Sequence, residues 1–201
     1  MRKRNVRRTY RISKYIIYKE TFVDYKEYFW SFVGAFIGIG LIAWVQSQFL
    51  TELENIFLIG SFGASSVLIY GAINSPMAQP RNLIGGHLIS AAIGVTIGRF
   101  MPDVIWITAP LAVATSIIAM QFTKTLHPPG GATALIAIIG NTKISELGYG
   151  YVLSPVLSGT LILFVTALVF NNLTKHRKYP AHSKRRFSYS FAKKKIEDFN
   201  S

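Results

Sequence analysis

The sequence predicts an all-α membrane protein, a polytopic bundle of transmembrane helices, and three observations lead to that fold class. Of its 201 residues, 50% are hydrophobic and only 15% are charged, whereas a soluble domain carries roughly 25% charged residues. The mean hydropathy is +0.33. Charge-free runs of about 20 residues recur along the chain, and a helix of that length spans the hydrocarbon core. The absence of cysteine excludes disulfides and thiolate metal sites.

Six charge-free runs fill most of the chain between residues 28 and 174. Four of them are predicted to be clean spans, at about residues 28–50, 82–100, 103–122 and 151–171. The other two, residues 55–80 and 125–142, contain glycines and prolines that interrupt helical hydrogen bonding. Such breaks are tolerated at membrane depth only where protein or water surrounds them. We therefore expect about six helical segments, two of them interrupted.

The positive charge lies at the two ends of the chain. The formal net charge is +13, and 17 of the 22 Lys and Arg residues lie within residues 2–19 and 175–195. A nucleic-acid binder would instead carry basic residues along a folded face. Basic segments stay on the cytoplasmic side of a membrane, so both termini are predicted to be cytoplasmic and the number of crossings even. Four and six crossings both satisfy that condition.

These patterns divide the chain into three predicted regions. Residues 1–27 form a basic, aromatic-rich interfacial segment, residues 28–171 a transmembrane domain, and residues 172–201 a basic cytoplasmic tail. The first apolar run is long and has no small-residue cleavage site, which is typical of a signal anchor. The expected location is a bacterial cytoplasmic membrane.

An internal match predicts that a three-helix unit is used twice. The run from Gly63 to Ile69 resembles the run from Gly131 to Ala137, at an offset of 68 residues. Three crossings per unit make the two copies antiparallel, as in the inverted repeats of many secondary transporters. In that plan the interrupted segments meet near the bilayer midplane and form the binding site.

Small residues recur every four positions on two of the predicted spans. Such stripes let neighbouring helices approach closely and are predicted to be packing surfaces. They consist of Gly34 and Gly38 on the predicted span 28–50 and of Gly86, Ser90, Gly94 and Gly98 on the predicted span 82–100.

One run, from Leu126 to Leu135, resembles the signature of the HPP family of integral membrane proteins, which is named for its His-Pro-Pro. Residues 62–68, 75–82 and 84–87 agree with that family's pattern in order and separation. The resemblance covers roughly residues 28–171. It implies a small helical membrane protein, usually with four spans, whose cyanobacterial and chloroplast members are associated with nitrite transport. Most members have no assigned substrate.

The two interrupted segments are predicted to bind a small anion at the starts of helices. Helix N-termini expose unpaired N–H groups and the positive end of the helix dipole. Pro129 would start one such helix, and a second start near Gly63 would point at the same midplane position if the repeats are inverted. Sealed helix starts without a vestibule would argue against permeation. The candidate binding residues are Gly63, Ser65, Ser66, Arg81, Asn82, His127, Gly130, Gly131 and Thr133.

Several polar residues have a structural alternative to a functional role. His127 either donates to the anion and carries a co-transported proton or caps a carbonyl freed by the prolines that follow it. His87 is expected to be a buried packing or hydrogen-bonding residue. Arg81 either attracts anions or reaches the lipid headgroups. Asn74 and Asn141 are expected to end helices.

The predicted function is the transport or conduction of a small monovalent anion, nitrite above all, with or without a proton. We expect no enzyme, metal or cofactor, because the sequence has no catalytic motif and its core histidines lack neighbouring carboxylates or cysteines. One alternative is a non-transporting membrane scaffold whose tails bind anionic lipid or a cytoplasmic partner. Another is a cation permease, which the absence of core acids disfavours. The expected partners are the anion, the bilayer and further copies of the chain.

Overall fold

The computed structural model describes residues 25–48, 60–140, 142–174 and 177–181. Helices dominate these residues and no strand occurs among them, so the predicted all-α bundle is confirmed. The helices are α1 (Tyr25–Ser47), α2 (residues 60–71), α3 (Pro80–Phe100), α4 (Ile105–Phe122), α5 (Pro129–Ile139), α6 (Thr142–Leu147) and α7 (residues 150–170).

Four helices in the described part of the chain are long and apolar enough to cross a membrane, namely α1, α3, α4 and the Val152–Phe170 part of α7. Large apolar side chains on α1 and α4 point away from the bundle, as lipid-facing residues do. Phe36 is 71% exposed, Trp106 77% and Phe122 87%. The molecule is therefore an integral membrane protein, and its lipid-facing surface is built mainly by these two helices.

The fourth long span differs from the prediction, which treated residues 151–171 as uninterrupted. At Ser154 the backbone leaves the helical conformation, with φ −140° and ψ 123°, directly before Pro155. A proline within a helix removes one backbone hydrogen bond and crowds the preceding turn. The regular part of α7 therefore runs only from Ser158 to Phe170.

Two contacts of residues 177–181 show which helices begin at the same face of the bundle. Glu27, at the start of α1, pairs with Arg177 at 3.2 Å, and Gln79, just before α3, accepts a hydrogen bond from the Ala181 amide at 2.8 Å. Because Arg177 and Ala181 are only four positions apart in the sequence, α1 and α3 begin at the same face. We call it the terminal face and the other the far face. The chain must cross back between α1 and α3, and α2 lies in that crossing.

The second half of the chain repeats this path. α4 ends at the terminal face, where Arg81 at the start of α3 donates to the Thr123 carbonyl at 2.6 Å. α7 also ends there, since Asn171 donates to the carbonyl of Ile69 near the end of α2. Two helices that end at one face require a crossing between them, and α5 supplies it. Between the two faces the described residues thus form four long helices and two short ones, α2 and α5, in the places of the two interrupted segments.

One pair of helix contacts is of the kind that the predicted inverted repeat requires. α1 packs against α7, and α4, the predicted counterpart of α1, packs against α3, the predicted counterpart of α7. The glycine stripes lie at these and the neighbouring contacts, as predicted. A Cβ on Gly38 would lie 2.6 Å from the Tyr70 hydroxyl, and one on Gly94 would lie 2.6 Å from the Ala134 carbonyl.

Residues 177–181 pack into the terminal face, although the sequence assigned them to a tail. We call this segment the strap. Arg177 is only 1% exposed. Its guanidinium pairs with Glu27 and donates to the carbonyl of Tyr70 at 2.7 Å and to the side chain of Asn171 at 2.8 Å. The strap therefore holds the start of α1 to the ends of α2 and α7.

Candidate functional site

Five buried polar side chains meet where α2, α3 and α5 cross. α2 contributes Ser61 and Ser65, α3 contributes His87, α5 contributes Thr133, and the loop before α5 contributes His127. Each is at most 2% exposed. We call this group the histidine cluster. Polar groups at membrane depth are costly unless paired, and they mark functional sites more often than packing sites.

The histidine cluster is closed by short hydrogen bonds. Ser65 Oγ lies 2.7 Å from His87 Nε2 and 2.8 Å from His127 Nε2. His87 Nδ1 lies 2.7 Å from Thr133 Oγ1, which in turn lies 2.7 Å from Ser61 Oγ. The five side chains thus form one continuous chain of hydroxyl and imidazole groups.

The direction of these hydrogen bonds can be assigned from one end. His127 Nδ1 lies 2.8 Å from the carbonyl oxygen of Met77. A carbonyl only accepts, so Nδ1 carries the hydrogen and Nε2 of the neutral ring is an acceptor. Ser65 must therefore donate to His127, and it has no second hydrogen for His87. The Nε2 of His87 consequently donates to Ser65.

The ring of His87 sets the donor direction for Thr133 and Ser61. Because Nε2 carries the hydrogen, Nδ1 of the neutral ring accepts one from Thr133. The hydroxyl of Thr133 is then free to accept from Ser61. Every donor thus points from Ser61 towards the Met77 carbonyl, and a proton added at the Ser61 end can be handed along the chain as far as His127.

One of the two predicted helix starts is seen at the cluster: α5 begins at Pro129 as predicted, with proline at the first helical position. The start predicted near Gly63 stays a prediction, because residues 60–71 are helical and the residues before 60 lie outside the described part of the chain. The same interrupted segment breaks at residues 72–79, at Asn74 and Pro76. Ser65 reaches the cluster from the interior of a helix, whose backbone N–H groups are already used.

The start of α5 does not present free N–H groups. The amides of Gly130 and Gly131 donate to the carbonyls of His127 and Pro128 at 2.8 and 3.0 Å. A Cβ on Gly130 would lie 2.8 Å from Ser90 Oγ, so this glycine serves the contact with α3. The predicted backbone site for an anion is therefore sealed by packing, and the binding groups that remain are side chains.

Three other predicted residues lie outside the histidine cluster. Arg81 is exposed and donates to the Thr123 carbonyl, and Asn82 donates to the Leu126 carbonyl at 2.7 Å. Both thereby hold the loop that carries His127. Ser66 is buried, and its hydroxyl has no hydrogen-bond partner among the described residues. Asn141 lies outside the described residues, and Asn74 follows the end of α2 as expected.

Sequence reasoning missed Ser61 and gave His87 only a structural role. His87 is buried and hydrogen-bonded, as expected, but it is also the central link of the cluster. Ser61 lies four residues before Ser65, which puts both on one face of α2. That spacing was the available signal. In addition, Tyr151 of α7 donates to the Thr133 carbonyl at 3.0 Å and covers the cluster from that side.

The histidine cluster is closed to solvent, and a separate cavity of about 270 Å³, which none of its five residues lines, opens at the far face. That cavity lies at the C-terminal end of α5, beside Gly140. Within the described residues, no three His, Asp or Glu side chains come together as metal ligands.

Comparison with known proteins agrees with this architecture. The transmembrane region of the HPP family matches residues 20–180. The chain is 45% identical over 160 residues to a transmembrane protein of Dictyostelium discoideum, covering 78% of this chain and 51% of that protein. A second transmembrane protein of the same organism is 43% identical over 162 residues, covering 79% and 56%.

The chain thus spans about half the length of these curated relatives. No solved structure matches it. The family match includes the His-Pro-Pro loop, the seven helices described above and most of the strap. This chain belongs to the HPP family of transmembrane proteins.

Proposed function

We propose that the protein transports a small monovalent anion, nitrite foremost, across its membrane together with a proton. The observation that carries the proposal is the histidine cluster, a buried group of neutral hydroxyl and imidazole side chains at the contact of the two short crossing helices. In inverted-repeat transporters the substrate site lies between such segments. Which cellular membrane holds the protein stays a prediction. The sequence favoured a bacterial cytoplasmic membrane, whereas the two relatives come from a eukaryote.

The cluster has the chemistry that a weakly bound anion needs. Ser61, Ser65 and Thr133 each carry a hydroxyl that can turn from its neighbour to a ligand. A hydrogen bond to an ionised partner is roughly twice as strong as one between neutral groups. The anion is held without a fixed positive charge, so it can also leave. The hydrogen bonds of the cluster involve no carboxylate that would repel it.

The two histidines supply a route for the proton. A proton that reaches Ser61 can pass along the donors: Thr133 hands its hydrogen to His87 Nδ1, His87 Nε2 hands its own to Ser65, and Ser65 hands its own to His127 Nε2. One proton enters at Ser61 and one arrives at His127, which then carries the positive charge, so charge moves without movement of the rings. An anion that crosses with a proton carries no net charge through the low-dielectric core, which lowers the electrostatic barrier.

A non-transporting scaffold is the second candidate function, and one observation favours it. The cluster side chains are all paired and at most 2% exposed. Such a network also fits a rigid link that holds three helices together. Transport requires that the contacts of the Met77 loop or of α5 open, whereas a scaffold keeps them closed.

Flux measurements on matched serine variants test the two candidates. The protein is reconstituted in liposomes, and uptake of nitrite, nitrate, formate and chloride is followed with and without an inward proton gradient. Ser65→Ala removes the central hydroxyl and should slow nitrite uptake by about tenfold or more, the effect of losing a hydrogen bond to a charged group. Ser116→Ala is the control, because Ser116 is equally buried and its hydroxyl has no partner among the described residues.

The outcomes separate the candidates. Nitrite uptake that exceeds empty vesicles, rises with the proton gradient and falls in Ser65→Ala alone supports proton-linked transport. No flux of any of the four anions overturns the proposal in favour of the scaffold. Flux that is equal in the two serine variants would show that the histidine cluster is not part of the path.

A further inference from the structure

A cavity of about 270 Å³ lies at the far face, between the ends of α3 and α5 and the start of α4. Its polar lining includes Arg99 at the end of α3, Asp103 in the following loop and Ser145 on α6. Its floor is formed by Val95 of α3 and Ala137 of α5. The cavity is therefore bounded by the same two helices that hold His87 and Thr133.

The floor of the cavity lies close to the histidine cluster. Ala137 follows Thr133 by four residues, about one helical turn or 6 Å further along the same face of α5. On α3 the corresponding stripe runs from His87 through Ala91 to Val95, at intervals of four residues. Only small or β-branched apolar side chains separate cavity and cluster on these two helices. A small displacement of α5 against α3 would join the two spaces.

Arg99 gives the cavity its positive charge. The guanidinium carbon lies 5.8 Å above the ring centroid of Tyr149, and among the described residues Arg99 forms no ion pair. Gly148, which adopts a positive φ of 51°, packs beside the guanidinium, and a Cβ there would lie 3.5 Å from the guanidinium carbon. A guanidinium offers two parallel N–H donors, which match a planar oxyanion better than a spherical one.

We propose that this cavity is the far-face entrance of the transport path and that Arg99 first binds the anion there, selecting planar oxyanions over halides. The inference rests on the proposed function and extends it by a second, external site. Ser145 is exposed in the cavity and adds a hydroxyl donor. Asp103 opposes the anion and keeps the binding weak enough for onward movement.

Three arginine and aspartate variants test the site by flux. Arg99→Gln should raise the KM for nitrite about tenfold, and Arg99→Lys should keep the charge but lose the preference for nitrite over chloride. Asp103→Asn should lower the KM. Lys26→Gln is the matched control, since Lys26 is an exposed cationic residue at the start of α1 on the terminal face. An unchanged KM and selectivity in Arg99→Gln would overturn the inference while leaving transport itself standing.

A binding measurement that needs no flux completes the test. The 201-residue chain has no cysteine, so Ser145→Cys introduces a single thiol into it, at the cavity. A negatively charged methanethiosulfonate should label this thiol faster than a positively charged one. Nitrite should slow that labelling, and Arg99→Gln should abolish both effects. Ser47→Cys, exposed at the end of α1 on the same face, should show neither.

Failure of the proposed transport and failure of the external anion site give different results. If wild-type protein carries no anion but nitrite still protects the thiol of Ser145→Cys in a manner that depends on Arg99, the proposed transport is wrong and the anion site stands. If nitrite gives no protection and reagent charge makes no difference, the external site is wrong, whatever the flux shows.

Discussion

Two arginines at opposite faces of the bundle behave in opposite ways. Arg177 at the terminal face is 1% exposed, paired with Glu27 and bonded to three helices. Arg99 at the far face is exposed beside a cavity and forms no ion pair among the described residues. The same side chain closes one face and leaves the other open. The described conformation is thus shut at the face where the chain's described ends meet.

A continuous series of contacts explains why the terminal face is shut. The strap residue Tyr179 donates to the Ala78 carbonyl at 2.7 Å, and the adjacent Met77 carbonyl accepts from His127 at 2.8 Å. The loop between α2 and α3 is therefore held from outside by the strap and from inside by the histidine cluster. At the far face no comparable segment covers the cavity within the described residues.

Removal of the two arginine charges gives the largest expected contrast. Arg177→Met leaves the Glu27 carboxylate without its ion-pair partner and removes one donor from the Asn171 side chain, while the Tyr70 carbonyl keeps the hydrogen bond from Ser31 at 2.7 Å. Breaking a buried pair by removing one partner costs about 3–5 kcal/mol, and since Glu27 is 31% exposed we expect a loss near 2–4 kcal/mol. Arg99→Met should change stability by less than about 0.5 kcal/mol.

Unfolding in detergent, followed by tryptophan fluorescence, measures this contrast. The midpoint should fall by many degrees for Arg177→Met and stay near that of the wild type for Arg99→Met. Equal losses would mean that the far-face arginine also holds the fold, which would contradict its assignment to a binding site.

Two glycines of the α3 stripe give the second contrast. A Cβ on Gly86 would clash with the Cβ of His127 and lie 3.0 Å from the Thr125 carbonyl, whereas one on Gly98 would meet only Ile138 at 3.5 Å and the Ala137 carbonyl at 3.6 Å. Gly86→Ala should destabilise the protein by about 1–3 kcal/mol, the usual effect of overpacking. Gly98→Ala should be neutral or stabilising by up to about 1 kcal/mol, because alanine favours the helix.

The measurement for this pair is the fraction of protein that stays monodisperse on size-exclusion chromatography after heating. Gly86→Ala should aggregate at a lower temperature than the wild type, and Gly98→Ala at the same or a higher one. A reversed order would show that the close contact at the sealed end is not rigid.

Hydropathy and charge placement were sufficient to predict the fold, because each long span must be apolar in lipid. The glycine stripes were predictable for the same reason, since a four-residue spacing always makes one helical face. The break at Ser154 was not found by counting charges, although Pro155 gave a local signal. The strap was missed because Arg177 is one basic residue among many in the sequence until Glu27 and Tyr70 are brought to it.

The site was predicted in part. His127, Ser65 and Thr133 meet as the repeat match indicated, but through side chains instead of helix starts. The helix start predicted near Gly63 depends on more than the sequence, because a glycine in a membrane segment can serve close packing, continue a helix or start one, and only the surrounding structure decides among these. His87 lies outside the repeat match, so its link to the cluster depended on the crossing angle of α3.

Two tyrosines give the smallest contrast. Tyr179 is 2% exposed and donates to Ala78, whereas Tyr149 at the far face is 45% exposed and shares a hydrogen bond with Thr96 at 3.0 Å. Tyr179→Phe leaves a buried carbonyl without its donor and should lower the free energy of unfolding by about 0.5–1.5 kcal/mol. Tyr149→Phe should have almost no effect, because water replaces the lost partner.

Alkaline titration sharpens the same comparison. Burial raises the pKa of Tyr179 above its ordinary value of about 10. A folded-state pKa above that of the unfolded chain means that the hydroxyl stabilises the protein fully below pH 10 and that this contribution is lost as the pH rises further. The unfolding midpoint of Tyr179→Phe, measured between pH 8 and pH 11, should therefore fall less steeply than that of the wild type. Parallel curves would mean that the Tyr179 hydroxyl is exposed to water and that the strap is held by its other contacts, those of Arg177 and of the Ala181 amide.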